Sequence, residues 1–111
     1  MWGEKMKAIV VGLISLLLLA TIVSAAGPIM VTLHANKVKG SPGTYKFDCD
    51  AKRFHPTGYD YDFKDGSAII LDQAGDTATH TYKSPGFYVP TCTASDGAGH
   101  TAMDWAVVVV V

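Results

Sequence analysis

Three aspartates at short spacing, Asp60, Asp62 and Asp65, are the first place to look for chemistry in this chain. Carboxylates at alternate positions ahead of a Gly are what a calcium loop uses, because the ion gathers several oxygen ligands. The loop pattern D-x-D-x-D-G is not met, since Lys64 stands where a third acid is needed. The simpler reading is a solvated strand face followed by an Asp65-Gly66 turn, with Asp96-Gly97 as a second turn. The four histidines, His34, His55, His80 and His100, are dispersed and show no zinc-ligand spacing. Ser41, Ser67, Ser84 and Ser95 fall in turn-like stretches, and none sits in a G-x-S-x-G elbow. No Gly-rich phosphate loop is present. An enzyme is not expected, nor a metal or other cofactor.

The elements around these residues read as strands. In Gly58-Tyr-Asp-Tyr-Asp-Phe63, Tyr59, Tyr61 and Phe63 share one face and Asp60 and Asp62 the other. That is the period of a half-buried strand. Residues 44–49 repeat the pattern, with Tyr45, Phe47 and Cys49 on one side. Further strands are expected over 29–35, 68–72, 77–82, 88–94 and 101–111, separated by Gly, Pro, Asp and Ser. About seven short strands with turns between them argue for a sandwich. Pro90 falls inside one of them and cannot donate to a ladder, so a bulge or break is expected there.

Two stretches of the sequence resemble the signatures of PKD domains, an immunoglobulin-like β-sandwich family. Tyr61-Asp62-Phe63-Lys64-Asp65-Gly66-Ser67 is similar to the family's W-D-F-G-D-G-S. His80-Thr81-Tyr82, then Ser84-Pro85-Gly86 and Phe87-Tyr88, is similar to its H-T-Y element with the Pro-Gly turn and Tyr-led strand. The resemblance spans residues 30–111 and implies an all-β fold in which these residues are structural. Tyr61 replaces the usual Trp, keeping an aromatic but adding a hydroxyl that needs a partner. Lys64 replaces a Gly; if that position has positive φ, the Lys carries strain, or else the turn differs locally.

Cys49 and Cys92 are the only cysteines. In immunoglobulin-like sandwiches a disulfide can join the second strand to the sixth, and both cysteines fall on inward faces. PKD domains usually carry no disulfide, so the pairing follows from position and not from the family. Two buried free thiols are the alternative.

The 111 residues suit one domain, with a formal net charge of −1. Basic residues are scattered, Lys52-Arg53 being the only adjacent pair, so no nucleic-acid partner is expected. Lys5 and Lys7 precede an uncharged run over 8–33, which orients the chain for export. Residues 1–28 are read as a signal peptide or as a retained hydrophobic α-helix, and 29–111 as the sandwich domain. Ser24-Ala25-Ala26 suits cleavage before Gly27. About 20 apolar residues also suffice to cross a bilayer. Lys7-Ala8 resembles the leader cut of archaeal pilins and archaellins, whose apolar helix is kept as a filament core. Contact with a membrane, at least during export, and an extracellular or cell-surface location follow from all three.

The C-terminal run, Trp105-Ala-Val107-Val108-Val109-Val110-Val111, does not alternate. A last strand with one wet face should show polar residues there. Five consecutive valines imply burial on both faces, either under the chain's own loops or N-terminal segment or, the favoured reading, in an assembly interface made of Trp105 and Val107, Val108, Val109, Val110 and Val111. The expected function is a non-enzymatic structural subunit of the cell surface, a homo-oligomer built through the N-terminal helix, the Val-rich strand, or both, in a pilus-like filament. The alternative is a secreted or anchored adhesion module that binds carbohydrate or protein. Tyr45, Tyr59 and Tyr61 would serve that role only if exposed, and the alternation turns them inward.

Overall fold

The computed structural model describes residues 27–111; the signal-peptide, membrane-helix and pilin-like readings of the N-terminal segment lie outside the described residues. Those described contain strands and turns and no helix. The strands are β1 (Met30–Lys37), β2 (Thr44–Lys52), β3 (Gly58–Asp62), β4 (Ile70–Gln73), β5 (Thr77–Thr81), β6 (Gly86–Tyr88), β7 (Thr91–Ser95), β8 (Thr101–Trp105) and β9 (Val108–Val110). β1, β2 and β5 form one antiparallel sheet, with β2 at its centre. β4, β3, β7 and β8 form the facing sheet, and β6 pairs with β9.

The strands expected over 88–94 and 101–111 are each interrupted, and the interruptions lie opposite one another. Pro90 has no N–H to give, and its carbonyl accepts the Ala106 N–H at 3.0 Å. Pairing resumes in the same register: Thr91 faces Trp105 below the break, and Tyr88 faces Val108 above it. β6–β7 and β8–β9 are therefore the two arms of one long hairpin, broken at the proline.

Alternation builds the core. Val31 and Leu33 from β1, Tyr45, Phe47 and Cys49 from β2, Tyr59 and Tyr61 from β3, and Cys92 and Ala94 from β7 all point between the sheets and are buried. Phe47 and Tyr61 are fully enclosed, their ring centroids 6.4 Å apart. Burial of an aromatic ring of this size stabilises by a few kcal/mol, on the order of 25 cal/mol for each Å² of apolar area. Cys49 and Cys92 are joined across this core, with Cα atoms 6.5 Å apart and 43 positions apart in sequence. The bridge runs from β2 to β7 because the broken arm counts as two strands. Closing a loop of that length contributes about 4 kcal/mol in the chain-entropy model.

One side of the sandwich is closed by a carboxylate. Asp104 lies on the edge strand β8, opposite the inward-facing Cys92, and its Oδ2 accepts the Leu33 N–H of β1 at 2.8 Å. The edges of the two sheets are thus tied by a side chain where no ladder joins them. Near the opposite end, Gly43 has φ of 77°, and a Cβ there would come within 2.5 Å of the Tyr82 carbonyl oxygen. Only Gly lets that turn approach closely enough for Tyr82 N–H to reach the Gly43 carbonyl at 2.8 Å.

Candidate functional site

The three aspartates do not converge. Asp60 Oδ1 accepts the Asp72 N–H at 2.7 Å. Asp62 accepts the Lys64 N–H at 2.9 Å and pairs with Lys64 Nζ at 3.1 Å. Asp65 Oδ1 takes the Ser67 N–H at 3.1 Å and the Ser67 hydroxyl, while its Oδ2 meets His80 Nε2 at 2.6 Å. Each carboxylate is committed to a turn or a neighbouring strand. No group of three or more His, Cys, Asp or Glu is placed to hold a metal among the described residues.

The second group of residues, those of the family-like motifs, forms an internal latch. Phe63 and the His80 ring stack with centroids 4.0 Å apart and planes 2° from parallel. Tyr82 meets His80 edge-on at 4.8 Å, stacks on Tyr88 at 4.3 Å, and donates its hydroxyl to the Phe63 carbonyl at 3.0 Å. Tyr88 donates to the Ser84 carbonyl at 2.7 Å, which holds the Pro85-Gly86 turn against the strand that follows. The hydroxyl that Tyr61 adds to the core is satisfied by the Asp76 carbonyl. Burial first, and then nearby carboxylates, push the Tyr61 and Tyr82 phenols up, so both stay neutral donors. Burial would also raise Asp65, but hydrogen bonds from Ser67 and His80 outweigh it and hold that carboxyl at about 2. Lys64 has φ of 61° and Gly66 φ of 83°. The Lys in the Gly position therefore sits in the left-handed region, at a cost of roughly 1–2 kcal/mol.

His100 closes a turn, His34 sits on an edge strand, and His55 is exposed in the connection between β2 and β3. His100 Nδ1 lies 2.7 Å from Asp96 Oδ2, and Asp96 Oδ1 also accepts the N–H groups of Ala98 and His100. His34 lies 3.5 Å from Asp50 on the outer face of the first sheet, with both side chains exposed.

Within one copy, the C-terminal run is buried on one side only. Val108 is buried and Val110 partly so, but Val107, Val109 and Val111 are exposed, as is Trp105 at 57%. Burial on both faces does not occur within the described residues. β9 keeps the two-residue period of any strand, and five identical residues conceal it. Its outward side faces no second layer, because β8 and β9 lie at the edge of the sandwich. Pairing adds neighbours that sequence reasoning missed. Phe87 faces Val109, Thr91 faces Trp105, and Thr93 faces Met103. Phe87 is 67% exposed and Met103 61%. Their signal was spacing: Met103, Trp105, Val107, Val109 and Val111 are each two apart, and Phe87 precedes Val89 by two.

On this side lies a shallow trough of about 720 Å³, lined by Lys64, Phe87, Val89, Thr91, Trp105 and Val107. Its lining is apolar apart from Thr91 and Lys64, and the Lys64 charge is met by Asp62 beside it. A surface of this kind excludes water on contact with another apolar surface.

The PKD domain model matches residues 20–109. The fold is similar to the PKD1 domain of Vibrio anguillarum Epp, at 14% identity and a TM-score of 0.61, over 77% of this chain and 95% of that one. It is equally similar to the PKD1 domain of the Vibrio cholerae metalloprotease PrtV, at 17% identity and a TM-score of 0.61, over 76% and 98%. At these identities the likeness carries the fold alone. No curated protein matches the chain significantly. PKD domains are typically extracellular, adhesion-type modules and are generally non-catalytic. With a family match over most of its length, the two motif stretches interlocked in one latch, and the same sandwich as two PKD1 domains, this chain belongs to the PKD domain family.

Proposed function

We propose that this protein is an exported, non-enzymatic structural subunit of the cell surface that works by joining copies of itself. The observation that carries this reading is the apolar outward side of the C-terminal hairpin. A soluble domain rarely leaves so large a contiguous apolar patch open unless something docks there. Lys5, Lys7 and the apolar run after them supply the export segment. If that run is retained, it bundles as the axis of a pilus-like filament with the sandwiches outside.

A second reading is favoured by one feature. Trp105 and Phe87 flank the trough, and an exposed aromatic ring is a platform for a sugar face or a partner side chain. Against it, the trough offers only Thr91 and Lys64 as polar groups, too few to satisfy the hydroxyls of a carbohydrate.

Electron microscopy of the native full-length protein, with its intact mass, separates the two. Filaments or defined oligomers, with a mass starting at Ile9, are expected for the filament subunit. Monodisperse particles with affinity for a polysaccharide would replace it with the adhesion module.

A further inference from the structure

The outward side of the C-terminal hairpin has the makings of a self-complementary interface. Its apolar side chains are Phe87, Met103, Trp105, Val107, Val109 and Val111, all between 48% and 101% exposed. At those exposures they offer on the order of 600 Å² of apolar surface, at the top of what a monomer ordinarily leaves open. A standard interface takes roughly 800 Å² from each partner, so this face with its threonine rim nearly supplies one side.

Charge and symmetry narrow the occupant. The one charge in the trough is Lys64, and Asp62 lies 3.1 Å from it. Two copies of the face therefore meet without net repulsion, whereas a charged partner finds nothing to pair with. The outward side of the other sheet carries Thr32, His34, Lys46, Asp48 and Thr79, and its one exposed large apolar side chain, Met30 at the end of β1, is too little for the hairpin to cover. Ile69 and Leu71, exposed on and beside β4, are too few to match six residues. With no complementary patch elsewhere among the described residues, the face is best covered by the same face of a second copy. Such contact is isologous and closes as a two-fold pair.

We infer that the sandwich forms a two-fold dimer through the outward side of the C-terminal hairpin, with Trp105 at its centre. This rests on the proposed self-assembly and specifies its partner and geometry. It adds a consequence: a closed pair cannot propagate, so any filament must grow through a different contact.

The test uses oxidised residues 27–111, whose core and disulfide are complete within that span and whose structural relatives were crystallised as isolated domains. Trp105 is the only tryptophan in it. Sedimentation equilibrium from micromolar to millimolar concentration should show a monomer–dimer equilibrium, with Trp105 emission shifting to the blue as dimer forms. Val109→Asp should weaken pairing at least about tenfold, and Thr79→Asp on the opposite sheet should leave it unchanged. If Val109→Asp fails to fold by near-UV circular dichroism, Trp105→Ser takes its place.

A domain that stays monomeric at millimolar concentration overturns the dimer, as does one whose pairing ignores both substitutions. So does a Trp105 shift produced only by added polysaccharide. Shielding of Trp105 in a monomeric full-length Trp2→Phe chain, but not in residues 27–111, would give the face to the N-terminal segment instead. Filaments from the full chain with a monomeric domain would sink this dimer and leave the proposed function standing. A dimeric domain whose full chain builds nothing larger would leave the dimer and sink the filament.

Discussion

Asp65 does more for this fold than a turn residue usually does. It closes its own turn through Ser67 and reaches across to His80 on β5, whose ring lies flat on Phe63. Its folded-state pKa is held at about 2, below the ordinary 3.8. A carboxylate with a depressed folded pKa gives stability that is fully present above its unfolded pKa. That stability is lost as pH falls through the folded value. Chemical denaturation at a series of acid pH values should therefore show a loss of roughly 2 kcal/mol between about pH 4 and about pH 2. Asp65→Asn should begin less stable and lose less over the same interval. The neighbouring Lys64 shows what was legible at this scale. Its place in a Gly position of the motif left two outcomes, a strained Lys or a different turn, and the backbone φ of 61° there is the first. The stacking of His80 on Phe63 was not legible, because it depends on two strands from different sheets meeting across the core.

The long hairpin was half legible. Pro90 announced its own break, since a residue without an N–H cannot hold a central ladder position. The unbroken register on either side of it could not be read from a proline alone. The five valines hid the strand's own period for a physical reason: periodicity shows only when residue types differ. What carries the real period is the companions, with Ala102, Asp104 and Ala106 partly buried and Met103 and Trp105 exposed. Asp104 is the most consequential of these. Its carboxylate is the partner of the Leu33 N–H on β1, so the seam between the sheets depends on it. Asp104→Ala leaves that partly buried donor unpaired and should cost about 1–3 kcal/mol in urea denaturation. Asp104→Asn keeps an acceptor and should cost less.

At the scale of the molecule, the sandwich carries two unlike sides. One sheet turns threonines, charges and His34 to water; the other, through its last hairpin, turns Phe87, Met103, Trp105 and alternate valines outward. The all-β class and the Cys49–Cys92 bridge were readable from alternation and from inward position. The extent of the apolar side was not, because Phe87 and Met103 join it only when their arms pair. A surface free of apolar patches would suit an isolated domain, and this one departs from that most at the C-terminal hairpin.

The most direct check is a dilution series of the oxidised domain followed by amide and methyl NMR. Concentration-dependent shifts should gather at Phe87, Met103, Trp105, Val107 and Val109 and spare Lys46, Asp48 and Thr79. Spectra that do not change with concentration, or changes that gather on the polar sheet, would contradict an assembly surface on the hairpin.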